Sequence, residues 1–90
     1  NRYVELHGWD GDILLALTTS GDLSSAAQKA HTLAGASATL GIETVERAAR
    51  NLERLLKCAD TDIPGIESQI EVLQQALQDV VTKISQESNY

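Results

Sequence analysis

The chain has few of the residues that build aromatic or cross-linked cores. Among its 90 residues there is no Phe and no Met, with one Trp, two Tyr and one Pro. The single cysteine, Cys58, excludes an intrachain disulfide and a cysteine-based metal site. The core must therefore be built from Leu, Ile, Val and Ala, and the abundant Ala favours helices that approach one another closely.

Positive charge is also scarce. Seven Lys and Arg against thirteen Asp and Glu give a formal net charge of -6. A nucleic-acid binder is expected to show a basic stripe, so the composition argues against that class, and more weakly against an anionic membrane surface. No apolar run approaches the ~20 residues that span a bilayer, and no signal peptide is visible at the start. Because the sequence does not begin with Met, we expect it to be a segment of a longer protein.

Helical periodicity accounts for most of the sequence. Ninety residues suffice for one domain, and we expect residues 1–90 to form a single one. Apolar residues three and four positions apart predict helices over about 10–19, 22–40, 43–59 and 64–86. Short loops between such helices predict an all-α fold, an up-down-up-down antiparallel four-helix bundle. The first nine residues stay ambiguous, because Gly8 and Gly11 weaken a helix there.

His31 is the residue on which a functional interpretation rests. It lies at the flank of the apolar arc of the second predicted helix, where an imidazole can reach solvent. A neutral imidazole is a competent nucleophile near neutral pH, because its unperturbed pKa is about 6.5. One turn later, Gly35 costs the helix about 0.5–1 kcal/mol relative to Ala, and we interpret it as room for a partner's close approach.

The segment Ala30–Gly41 reads A-H-T-L-A-G-A-S-A-T-L-G. It resembles the phosphorylated-histidine segment of histidine phosphotransfer (HPt) domains, which reads roughly A-H-x-L-K-G-x-S/A-x-x-L/I-G. The resemblance continues more loosely into Leu52 and Glu53. It departs at one place, since the lysine usual three residues after the histidine is Ala34 here.

The resemblance implies a phosphorelay module of the kind found at the C-terminus of bacterial hybrid sensor histidine kinases. His31 would accept a phosphoryl group from a receiver-domain aspartate and pass it to another receiver, with no autokinase activity in this domain. Receiver domains are then the expected partners, without nucleic acid or a small-molecule substrate. The chain would need no metal or cofactor of its own, since the receiver supplies Mg²⁺. The expected location is the cytoplasm, including the cytoplasmic part of a membrane-bound sensor.

A wider surface around His31 is expected to contact the phosphoryl group or the receiver. Its predicted members are Gln28, Lys29, Ala34, Gly35, Ala38 and Arg50. Without a lysine at position 34, the positive charge usual beside the phosphoryl group has to come from elsewhere. Lys29 points about 200° away from His31 around the helix and is a poor substitute. Arg50 belongs to a basic row with Arg47 and Arg54, which either borders the His31 face or pairs with neighbouring glutamates.

Two other interpretations remain open from the sequence. The bundle could bind a receiver or kinase without phosphotransfer, which the alanine at position 34 makes reasonable. It could also be a structural helical hairpin that dimerises through the near-heptad seam from Ile66 to Ile84. His7, the second histidine, matches no motif, and two histidines without suitably spaced carboxylates do not predict a zinc site.

Overall fold

The computed structural model describes residues 2–58 and 62–87, with side chains as far as Ile84. Within these ranges the chain forms five helices and no strand. The helices are α1 (Arg2–His7), α2 (Asp10–Thr19), α3 (Leu23–Thr39), α4 (Glu43–Leu56) and α5 (Ile63–Glu87). No helix in the described ranges is both long and apolar enough to cross a membrane.

Helices α2 to α5 form the all-α four-helix bundle that the periodicity predicts. Helix α3 packs between α2 and α4, and α5 packs between α4 and α2, so the four close into a ring around one core. Gly21 and Gly41 lie in the two tight turns that flank α3, with φ angles of 84° and 72°. Glycine adopts this left-handed conformation without the steric cost of a Cβ, so both turns reverse the chain within three residues.

The helix ends follow from local capping. Asp22 is the N-cap of α3, where its carboxylate accepts a hydrogen bond from the backbone N–H of Ser25 at 3.2 Å. Helix α4 ends at Leu56, earlier than the predicted 59, because Cys58 N–H bonds to the carbonyl three residues back and the last turn tightens. Residue 59 itself lies outside the described residues.

The core is aliphatic, as the composition requires, but its helices contribute unequally. The largest fully buried apolar side chains are Leu14, Leu33, Val45, Leu52, Ile66, Ile70 and Leu73. Helix α3 adds mainly small residues to this core, namely Ala26, Ala27, Ala30, Ala34 and Ser37. Burying a Leu or Ile side chain stabilises a fold by about 1.5–3 kcal/mol. Most of the burial energy therefore comes from Leu33 and from the side chains of the other helices, and the small residues of α3 allow those helices to approach closely.

Helix α1 resolves the ambiguous start of the chain. Tyr3 and His7 are its buried residues, and the Tyr3 hydroxyl lies 2.8 Å from the Ser37 hydroxyl on α3. His7 Nδ1 lies 2.7 Å from Oδ2 of Asp10, a carboxylate that is only 1% exposed. Although His7 matches no sequence motif, it thus has a structural role, because it pairs with a buried carboxylate at the start of α2.

Lys29 of α3 completes this buried cluster. Its Nζ lies 3.1 Å from Oδ1 of Asp10, the oxygen that His7 does not contact. Among the described residues, no well-aligned hydrogen bond reaches Oδ1 of Asp10. The positive charge of Lys29 therefore stabilises the buried carboxylate without a directed hydrogen bond. These contacts connect α1 and the start of α2 to α3, the helix that carries His31.

Candidate functional site

His31 lies on the outer surface of α3, at the edge that faces α4. Its neighbours in sequence, Ala30 and Leu33, are fully buried, which holds the helix face in place while the His31 side chain stays 66% exposed. A shallow groove between the two helices passes beside it. The groove is lined by Leu23, Ser24, Ala27, Gln28, His31, Glu53, Leu56 and Lys57.

Glu53 of α4 contacts the imidazole directly. His31 Nδ1 lies 3.1 Å from Oε2 and 3.3 Å from Oε1 of this carboxylate, whose side chain is only 14% exposed. Lys57, one helical turn further along α4, places its Nζ 2.8 Å from the same Oε2. One carboxylate oxygen therefore receives two donors, one from each side of the groove.

The charge of Glu53 is maintained by these contacts. The hydrogen bond from Lys57 is the main cause that lowers the pKa of Glu53 below its ordinary value of 4.5, burial opposes it, and the hydrogen bond from His31 lowers the pKa further. Glu53 is therefore ionised at neutral pH, and an ionised carboxylate can only accept hydrogen bonds. It follows that His31 Nδ1 carries the proton in this pair.

The pairing leaves the other ring nitrogen available for chemistry. When a neutral imidazole holds its proton on Nδ1, the lone pair is on Nε2. Within the described ranges, the hydrogen bonds of His31 all run through Nδ1 to Glu53. The contact with Glu53 therefore fixes the orientation of the ring and leaves Nε2 without a hydrogen-bond partner among the described residues.

Exposed residues of α3 lie on either side of the imidazole. Gly35, one turn after His31, is exposed, and a Cβ built there would meet no atom within 4 Å. Ala38 and Gln28 are also exposed on this helix, and their contact with a receiver stays a prediction. A partner can therefore approach His31 over Gly35 without displacing a side chain.

Two members of the predicted surface lie elsewhere. The placement of Ala34 beside the imidazole is wrong, because Ala34 is fully buried in the core. The placement of Lys29 is wrong as well, since its ammonium is held by Asp10 and it does not line the His31 groove. Ala34 is buried because contacts between helices cover more of the α3 surface than a single helical wheel predicts, whereas the wheel already points Lys29 away from His31.

The arginines of α4 do not reach the groove. Arg50 donates to Glu46 at 2.9 Å, and Arg54 donates to the side-chain oxygen of Asn51 at 3.3 Å. For Arg50 the interpretation of pairing with a neighbouring glutamate is therefore the correct one. The basic residue that does line the groove with His31 is Lys57.

Glu53 and Lys57 are site residues that the sequence analysis did not assign. Their spacing of four residues on one helix is a recognisable ion-pair signal. The contact to His31 spans 22 residues and two helices, however, and depends on the register between α3 and α4. That register is set by the packing of small residues and has no local sequence signature.

Comparison with protein families shows which family the chain resembles. The family model described as "Hpt domain" matches residues 10–83, a span that contains α2, α3, α4 and most of α5 together with the His31 groove. No curated protein matches the chain, and no solved structure matches it.

Proposed function

The chain belongs to the Hpt domain family, whose members carry out histidine phosphotransfer in phosphorelays with receiver domains, and on that premise we propose that His31 is the phosphoacceptor. The observation that carries the proposal is the hydrogen bond of His31 Nδ1 to the Glu53 carboxylate in a side chain that is 66% exposed. Phosphoryl transfer needs little covalent machinery from the protein and depends mainly on positioning and charge. An exposed imidazole with a fixed tautomer fits that requirement.

The proposed transfer forms one bond and breaks one. The Nε2 lone pair of His31 attacks the phosphorus of a receiver aspartyl phosphate, and the bond from phosphorus to the aspartate oxygen breaks. The electron pair stays on the aspartate, which leaves as a carboxylate. The phosphorylated ring keeps its proton on Nδ1 and becomes cationic, and the Glu53 carboxylate stabilises that charge through the existing hydrogen bond. The second transfer reverses these steps with another receiver.

The receiver supplies the remaining chemistry in this proposal. Its Mg²⁺ would neutralise the transferring oxygens, because α3 and α4 present one lysine and uncharged donors around His31. The domain would lie in a hybrid sensor kinase of a bacterial two-component pathway, between a donor and an acceptor receiver.

Labelling tests the proposal directly. The chain is incubated with acetyl phosphate, Mg²⁺ and each receiver of its pathway, and phosphoprotein is assayed for stability in base and lability in acid. We expect His31→Gln to abolish labelling and His7→Gln to retain it in samples that remain helical by circular dichroism. Wild-type protein that binds these receivers but is never labelled would instead establish a docking bundle without transfer.

The role of Glu53 gives a second prediction. Glu53→Gln keeps the size of the side chain but removes its charge, and a charge-assisted hydrogen bond is worth about 1 kcal/mol more than a neutral one. We expect transfer to His31 to slow about fivefold, and ¹⁵N NMR to show a loss of the Nδ1–H tautomer. Glu46→Gln is the matched control, because Glu46 lies on the same helix and pairs with Arg50 outside the groove. Equal rates in the two variants would contradict the role of Glu53.

A further inference from the structure

We propose that Lys57 is the cation that holds the phosphoryl group on His31, in place of a lysine on the histidine helix itself. The inference rests on the proposed function of His31 and adds the residue that binds the transferred group. It assigns to the end of α4 a charge that α3 does not present beside His31, because Ala34 is buried and uncharged and Lys29 is held by Asp10.

The position of Lys57 supports this assignment. Its side chain is 63% exposed, lines the same groove as His31 and ends 2.8 Å from the carboxylate oxygen that also receives His31 Nδ1. Lys57 is the C-cap of α4, so its four-carbon stem leaves the helix at its last turn. A lysine ammonium has three donors on a flexible stem and can turn toward a new anion without moving the backbone.

The charges in the groove require such a cation. A phosphoryl group brings nearly two negative charges beside Glu53, which is already ionised. Two other basic residues on these helices are occupied, Lys29 by Asp10 and Arg50 by Glu46. Of the residues that line the His31 groove, Lys57 is the one with a full positive charge. The new dianion therefore competes with Glu53 for the Lys57 ammonium.

Two uncharged donors complete the proposed phosphoryl site. Ser24 and Gln28 precede His31 by seven and three residues on α3, which places them on the same helix face, and both line the groove. The hydroxyl of Ser24 and the amide of Gln28 can donate to phosphoryl oxygens. When Lys57 moves from Glu53 to the phosphoryl group, Glu53 keeps its hydrogen bond from Nδ1, so the ring stays oriented.

In the test, the whole chain is phosphorylated by a chemical reagent in the absence of any receiver. Phosphoramidate, which is protonated on its nitrogen near neutral pH, labels histidine directly: Nε2 attacks phosphorus, the P–N bond of the reagent breaks, and its electron pair leaves on ammonia while the ring keeps its proton on Nδ1. ³¹P NMR then follows the pKa of the phosphoryl group in wild type and in Lys57→Gln, and the signal is assigned by its absence in His31→Gln. A nearby cation favours the dianion, so its removal raises the phosphoryl pKa by about 0.3–0.7, a two- to fivefold change expected for an exposed ion pair.

Two controls separate a direct contact from a general effect of charge. Lys57→Arg keeps the positive charge and should restore the wild-type phosphoryl pKa, whereas Lys83→Gln removes an exposed lysine of α5 and should leave it unchanged. Equal phosphoryl pKa values in wild type, Lys57→Gln and Lys83→Gln would overturn the assignment of Lys57, as would folded protein that phosphoramidate does not label at His31. Protein that is labelled by phosphoramidate but refuses transfer from every receiver would contradict the proposed function alone.

Discussion

At the scale of single residues, the site depends on one atom, Oε2 of Glu53. It lies 3.1 Å from His31 Nδ1 and 2.8 Å from Lys57 Nζ, and it belongs to a side chain that is mostly covered by protein. A carboxylate in this position selects the tautomer of the nucleophile and fixes its ring, while its own charge is maintained by the lysine. The proposed nucleophile, the carboxylate that orients it and the lysine thus come from two helices and three side chains.

The exposed position of His31 on α3 could be predicted from the sequence, but its partners on α4 could not. The exposure of His31 and Gly35 follows from the apolar pattern of one helix, which a sequence displays directly. The contact with Glu53 depends on the axial position of α4 relative to α3. The small side chains of Ala30 and Ala34 permit that register, and the pattern of α3 alone does not define it.

Gly35 provides a test in which stability and function change in opposite directions. Since a Cβ at this position would meet no atom within 4 Å, Gly35→Ala should stabilise the fold by about 0.5–1 kcal/mol through helix propensity. Gly35→Leu should be similarly stable but should slow transfer from a receiver by about tenfold or more, because the side chain obstructs the approach to His31. Urea unfolding and a transfer assay measure the two effects.

Gly11→Ala is the contrasting control for this test. A Cβ at Gly11 would collide with the Gln74 side chain of α5, so this variant should lose stability. If Gly35→Leu transferred as fast as wild type, Gly35 would not mark the surface over which the partner approaches.

At the scale of secondary-structure elements, α1 is the part of the fold that the sequence predicts least. Its six residues make too short a segment for periodicity to be diagnostic, and two glycines follow it closely. Its stability comes from tertiary contacts, namely Tyr3 with Ser37 and His7 with Asp10. The longer helices were predicted more closely because each carries a full apolar face, and their observed bounds differ from the predicted ones mainly where a cap or a tight last turn intervenes.

The phenol of Tyr3 makes the attachment of α1 dependent on pH. Burial raises the pKa of Tyr3 above its ordinary value of 10.0, the nearby Asp10 carboxylate raises it too, and the hydrogen bond with Ser37 partly offsets both. The folded state therefore prefers the neutral phenol. The stability that this preference contributes is complete below pH 10 and is lost as pH rises through the higher pKa of the folded state.

A spectrophotometric titration measures this effect. In Tyr90→Phe, Tyr3 is the one remaining tyrosine, and its phenolate absorbance near 295 nm should develop above pH 10. Hydrogen exchange should show the amides of α1 losing protection over the same pH interval, because the ionised oxygen is destabilised in its buried position. A Tyr3 that titrates at or below pH 10 would show that α1 does not shield it in solution.

At the scale of the whole molecule, the charge is distributed unevenly. Residues 43–57 contain four of the seven basic residues and three of the thirteen acidic ones, so this segment has a formal charge of +1 and the remainder of the chain -7. Arg47, Arg50, Arg54 and Lys57 recur at intervals of three and four residues along α4. Helix α4, beside His31, is therefore the surface that repels a negatively charged partner least, such as the proposed receiver with its aspartyl phosphate.

Association with a receiver should accordingly depend on salt. Raising the ionic strength from about 0.05 to 0.5 M shortens the screening distance severalfold, and we expect the second-order rate of transfer to His31 to fall about threefold to tenfold. The triple variant Arg47→Gln/Arg50→Gln/Arg54→Gln should be slower at low salt and nearly insensitive to salt. Stopped-flow measurements at limiting receiver concentration give both rates. A wild-type rate that does not respond to salt would exclude electrostatic guidance by α4.

The buried alanines of α3 have a consequence for how this domain can change in evolution. At Ala26, Ala30 and Ala34 the helix has no large side chain that could be shortened or rearranged, so almost any substitution at these positions adds volume. Helix α5, which packs through Ile66, Ile70 and Leu73, can exchange one aliphatic residue for another of similar volume. Sequence drift should therefore accumulate in α5 and leave the interior of α3 nearly invariant, even though no atom of that interior takes part in chemistry.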